Sequence, residues 1–125
     1  MEIPKNALNW FEIPVLNFER AKKFYSTLLA CEMPENQMGP KRMGFFPSGQ
    51  FLVGGAIVQG PGFTPSKAGT LAYLNCFDDL QPALDRVVKA GGTVEQTKTL
   101  ITPQIGYYAI FTDTEGNRVA LHSMR

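Results

Sequence analysis

The chain carries one local plan twice, and that repetition constrains its fold more than any other feature. Leu8–Val15 (LNWFEIPV) is aromatic and β-branched and reads as a strand. Asn17 follows as an N-cap. Phe18, Ala21, Phe24, Tyr25, Leu28 and Leu29 then recur at the spacing of one helical face, with Arg20, Lys22 and Lys23 mostly outside it. Further along, Thr70–Phe77 (TLAYLNCF) reads as a second such strand, and Asp79 as its N-cap. Leu80, Ala83, Leu84, Val87 and Val88 make a second helical stripe. Pro82 falls in the first turn, where its missing N–H costs little, and Gly91-Gly92 closes the helix. Shifted by 62 residues, Asn17 falls on Asp79, Phe18 on Leu80, Ala21 on Ala83 and Tyr25 on Val87.

Each half also ends alike. Gly44–Pro47 and Phe51–Val58 flank the turn Ser48-Gly49-Gln50, and Tyr107–Thr112 and Arg118–His122 flank Asp113–Asn117. Both read as hairpins with glycine where a positive φ is needed. The Gly/Pro/Ser-rich residues 60–69 between the halves form a linker. The expected architecture is α+β: two tandem βαβββ modules, about 7–59 and 70–123, in a single domain spanning 6–124. Neither half is large enough to be stable alone, so the two are expected to share one core.

Composition narrows the function classes. Of 125 residues, 44% are hydrophobic and 18% charged, which fits a folded globular chain. The formal net charge of +1 argues against a nucleic-acid partner. Two cysteines without CxxC spacing suggest free thiols in a reducing compartment. The N-terminus lacks the basic-then-apolar layout of a secretory signal, and the uncharged stretch Gly44–Ser66 is broken by six glycines and three prolines. The expectation is a cytoplasmic protein without a membrane partner.

Three stretches carry a family resemblance: Phe11–Tyr25 (FEIPVLNFERAKKFY), Leu80–Gly92, and Ile105–His122 (IGYYAIFTDTEGNRVALH) with its Asp-x-x-Gly-Asn turn. On them the chain resembles the vicinal oxygen chelate superfamily, which includes glyoxalase I, bleomycin-resistance proteins and extradiol dioxygenases. The resemblance implies curved sheets of two modules around a cleft, commonly in a homodimer. It also implies a divalent metal held by one His, Glu or Gln on each of four strands. Those positions fall here on Trp10, Val53, Ala72 and Ala120, none of which binds a metal. Independently, a divalent site needs three or more converging donors, and the chain has one histidine and no HxH, HxxxH or HxxE pattern. No metal site and no cofactor are expected.

Strand alternation then selects candidate residues. Glu12 shares a face with Trp10, and His122 with Ala120. If the two strands converge, Glu12 and His122 form an acid–base pair. Trp10 offers a flat surface for a planar or cationic ligand. Tyr107 and Tyr108 are adjacent, so one of them faces the cleft. Cys76 has the parity of Ala72 and is expected to line the cleft as well. The leading expectation is a metal-free module that binds a small, partly aromatic molecule. The alternative is a glyoxalase-like lyase or isomerase using Glu12 and His122, with or without a metal.

Overall fold

The computed structural model describes all 125 residues, Met1–Arg125. The first helix, α1, spans Phe18–Leu29 and buries Phe18, Ala21, Phe24, Tyr25 and Leu28, the stripe read from the sequence. Asn17 caps it, its side chain accepting from the Arg20 N–H at 3.0 Å. The second, α2, spans Gln81–Ala90 and buries Ala83, Leu84 and Val87. Gly91 ends it in the left-handed conformation at φ +111°, where a glycine pays no Cβ penalty.

Eight strands surround these helices: β1 (Trp10–Pro14), β2 (Glu35–Met38), β3 (Lys41–Phe45), β4 (Gly54–Gln59), β5 (Tyr73–Asn75), β6 (Thr93–Thr102), β7 (Gly106–Thr112) and β8 (Arg118–Ser123). They form two four-stranded mixed sheets, ordered β1-β4-β3-β2 and β5-β8-β7-β6. In each, the helix carries the chain from one edge strand to the other, β1 to β2 and β5 to β6. The first and last strands of each module pair in parallel, β1 with β4 and β5 with β8, while the remaining neighbours are antiparallel. The two-module α+β architecture is therefore present.

One core serves both modules. A cluster of 19 buried residues draws on α1, α2 and the helix-facing side of both sheets, from Ile13, Phe24 and Ile57 to Leu84, Phe111 and Leu121. The opposite, helix-free face of the first sheet has a small cluster of its own, Met43, Ala56 and Val58 with Phe45 and Phe63 against it.

Two local readings are corrected. The β3–β4 connection is a loop, Phe46–Val53, longer than a three-residue turn, with Phe51 at φ +60° and 96% exposed. The helix starts repeat at 63 residues rather than 62, Asn17 corresponding to Leu80, and the strands at 61, since Tyr73 pairs with Ala120 as Glu12 pairs with Ala56. Asp79 does bond the start of α2, accepting from the Gln81 N–H at 2.9 Å. The helix nonetheless begins one residue later, with Leu80 donating to the Ser123 hydroxyl at 2.9 Å. A slip of one residue exchanges the two faces of a strand, so every placement on β5 changes side.

Candidate functional site

Strand register shows which side chains share the helix-free faces. On the first sheet Trp10 pairs with Gly54 and Glu12 with Ala56, while Ala56 and Val58 pair with Phe45 and Met43. All therefore point to the face away from the helices. On the second sheet Tyr73 pairs with Ala120 and Asn75 with His122, and β7 adds Ile110 and Tyr108 to the same face.

Trp10 is 44% exposed although its ring lies 6.1 Å from that of Phe45. Its indole N–H donates to Glu12 Oε2 at 3.3 Å. Both residues line a cavity of about 430 Å³. Ser66 and Thr70 border it from the inter-module segment, and Asn117 and Arg118 from the start of β8. An aromatic plate and a carboxylate thus meet in one hollow, with Arg118 at its border and the Arg118 Nε 3.9 Å from Glu95 Oε2, which suits a flat molecule carrying a few polar groups.

His122 lies elsewhere. Its Nε2 is 2.6 Å from the Ile105 carbonyl oxygen, an acceptor only, so Nε2 carries the hydrogen and Nδ1 is left for another partner. Glu12 takes the Trp10 indole and His122 the Ile105 carbonyl. The two sit on different sheets, and no ion pair joins them within the chain.

The one-residue slip corrects one further expectation. Cys76 follows β5 on the helix side and packs against the shared core, away from the helix-free face. Burial pushes its thiol up to about 11, with Arg86 opposing only in part, so at neutral pH it is a protonated thiol and a poor nucleophile. Tyr107 also packs against the core, with Lys98 Nζ 4.8 Å from its ring centre, and only Tyr108 faces the cleft side. Tyr73 and Arg118 are the side chains the sequence reading passed over. Arg118 was accessible to it, since it alternates with Ala120 and His122. Tyr73 required the correct repeat length.

The structure also moves two of the inferred metal positions. Gly54, not Val53, pairs with Trp10, and Tyr73, not Ala72, pairs with Ala120. The four positions thus present an indole, a glycine, a phenol and a methyl group. No three His, Cys, Asp or Glu side chains come together anywhere in the chain. These residues do not fit a divalent metal held in the manner of the metal-binding relatives.

A second polar cluster joins the modules. Glu115, its side chain fully buried, accepts from the backbone of Leu16 and Asn17 (3.0 and 2.7 Å), from Arg20 Nε (2.6 Å) and from the Thr114 hydroxyl (3.0 Å). Burial opposes its ionisation, yet those bonds outweigh it and hold the carboxyl below its ordinary value. Asp113 accepts from the buried Tyr25 hydroxyl at 2.6 Å and from the Glu115 and Asn117 amides at 2.8 Å each. Asn117 in turn donates to the Pro14 carbonyl at 2.7 Å. This network occupies the Asp-x-x-Gly-Asn turn and ties β7–β8 to the β1–α1 junction.

Comparison with known proteins agrees with this geometry. A glyoxylase-like domain-containing protein from Didymella fabae is 31% identical over 118 residues, covering 91% of each chain. Among solved structures, a glyoxalase/bleomycin resistance protein from Albidiferax ferrireducens T118 superposes with a TM-score of 0.73 at 16% identity, covering 94% of this chain and 98% of that one. TnmS3, an antibiotic binding protein from Streptomyces sp. CB03234, superposes with a TM-score of 0.67 at 20% identity over 98% of both chains. The sequence model of the Glyoxalase/Bleomycin resistance protein/Dioxygenase superfamily matches residues 7–121. Nearly the whole chain lies within that match, and the protein belongs to this superfamily.

Proposed function

We propose that this protein binds a small, partly aromatic molecule at the helix-free face of its first sheet, without a metal. The observation that carries the reading is Trp10: a half-exposed indole stands at the first-strand position where the metal-binding relatives place a ligand. It lines a cavity together with Glu12 and Arg118. Stacking on the indole supplies affinity, and the Glu12 carboxylate selects the polar groups of the ligand. TnmS3, a protein of the same fold, is an antibiotic binding protein, which supports a binding role. The protein is proposed to act in the cytoplasm as a homodimer. Met38 and Tyr73 leave apolar area exposed for a second copy to cover. No helix is long and apolar enough to cross a membrane.

Calorimetric titration with planar aromatic probes (indole, naphthalene-2-carboxamide, anthraquinone-2-sulfonate) tests the reading. Saturable binding that Trp10→Ala weakens about five- to tenfold is expected, since a lost aromatic stack is worth roughly 1–1.5 kcal/mol. No binding by the native protein, or equal binding by the variant, would overturn it. The acid–base alternative requires Glu12 and His122 to reach one substrate atom. Within one chain Glu12 holds the Trp10 indole and His122 the Ile105 carbonyl, so that reading gains support only if a complex shows both groups on one ligand.

A further inference from the structure

The two modules differ where their structural counterparts should be most alike. Shifted by 65 residues, Phe46 falls on Phe111, Ser48 on Asp113, Gln50 on Glu115 and Phe51 on Gly116. The equivalence is physical as well, since Phe46 and Phe111 flank Tyr25 at ring distances of 5.3 and 6.3 Å, and Phe51 and Gly116 both have positive φ. In the second module this turn reaches across to the β1–α1 junction and fills it with the Glu115 carboxylate. In the first module the β3–β4 loop faces the β5–α2 junction, and between them lies a cavity of about 500 Å³. Leu29, Pro47, Phe77 and Ala83 supply its apolar lining, with Asn75 and Arg86 among its polar groups.

Arg86 gives this cavity a chemical preference. Of the five arginines it alone has no carboxylate partner: Arg20, Arg42, Arg118 and Arg125 are all paired. It is half-buried, and its Nε donates to the Leu28 carbonyl at 2.9 Å, which fixes the guanidinium and leaves its terminal N–H groups free. Asp79 also borders the cavity, but Lys98 binds it at 2.8 Å and offsets its charge. The backbone N–H of Asp79, counterpart of the Leu16 N–H that binds Glu115, has no acceptor within the chain.

We propose that this cavity is a second binding site, for a small monocarboxylate with an apolar body. The ligand's carboxylate takes, against Arg86, the part that Glu115 plays against Arg20, and its hydrocarbon lies on the apolar wall. A charge-assisted, bidentate contact is the strong form available to a guanidinium at such a site. The site lies apart from the Trp10 cavity: the two share no lining residue. It stands or falls independently of the function proposed above.

The test is a titration of the full-length protein with benzoate, followed by amide and indole NMR shifts. Saturable shifts at the Gly49 and Asp79 amides, with the Trp10 indole signal unmoved, are expected. Benzamide, isosteric but uncharged, is expected to bind about tenfold more weakly or worse. Arg86→Gln should weaken benzoate by a similar factor. Because that change also removes the bond to Leu28, Pro82→Trp serves as a second variant, adding bulk to the cavity wall from an exposed position of α2 one turn before Arg86 while leaving Arg86 intact. Non-saturating shifts, shifts confined to Trp10, equal binding of benzamide, or undiminished binding by both variants would each overturn the proposal.

Discussion

The turn Asp113–Asn117 and the loop Ser48–Leu52 occupy equivalent places in the two modules, yet one is a filled polar clamp and the other borders a cavity. The difference lies in a few side chains. Asp113 and Glu115 bring buried acceptors that absorb backbone N–H groups, an arginine and a tyrosine. Their counterparts Ser48 and Gln50 are exposed and leave the opposite junction open. Gly116 takes its positive φ freely, whereas Phe51 takes the same conformation with a large exposed side chain. One fold has thus used one half to hold itself together and has kept the equivalent surface of the other half available.

The contrast can be broken most severely at Asp113. Asp113→Ala strands the Tyr25 hydroxyl, the Glu115 and Asn117 amides and the Asn117 side chain, all of which donate to the carboxylate. A loss of about 3–5 kcal/mol in urea-unfolding stability is expected, against roughly 0.5 kcal/mol or less for Ser48→Ala. Equal effects at the two positions would erase the distinction.

Glu115 sharpens it through pH. Its carboxyl is lowered in the folded protein relative to its ordinary value of 4.5, so it favours folding above that value. The contribution disappears as pH falls through the folded value. Glu115→Gln is expected to cost about 1–3 kcal/mol at neutral pH and to flatten the dependence of stability on pH below about 4.5. Unfolding curves collected from pH 7 to pH 3 measure both effects.

The smallest expected effect is at Phe51. Phe51→Gly relieves a left-handed conformation worth about 1–2 kcal/mol and adds chain entropy costing about half as much, so a gain of up to ~1 kcal/mol is expected. Gly116→Ala in the other half should instead lose about 1 kcal/mol. Thermal unfolding of the two variants side by side reads the opposite signs.

Much of this was legible in the sequence, because the helices advertise themselves. The α1 stripe and its Asn17 cap were read correctly, since five buried residues recur at one helical spacing. The alternation of β8 put His122 with Ala120, as observed. The edge strands β2 and β6 escaped location because ENQM and TVEQTKTLIT are polar and carry little hydrophobic period. The face of β5 is not legible locally, because Asp79 has the chemistry of an N-cap and does bond the start of α2, while the helix begins one position later, where the Leu80 N–H donates to the hydroxyl of Ser123, 43 residues away. A contact so distant in sequence leaves no local trace. The Glu115 clamp was equally invisible, since its partners come from the other module.

The fluorescence of Trp10, the chain's one tryptophan, reports directly on the hollow that this account assigns to an aromatic ligand. Protein stripped with a chelator and titrated with anthraquinone-2-sulfonate should show saturable quenching, with the same midpoint after zinc, nickel or manganese is restored. Quenching that appears only once a divalent ion is supplied, or none under either condition, would contradict it.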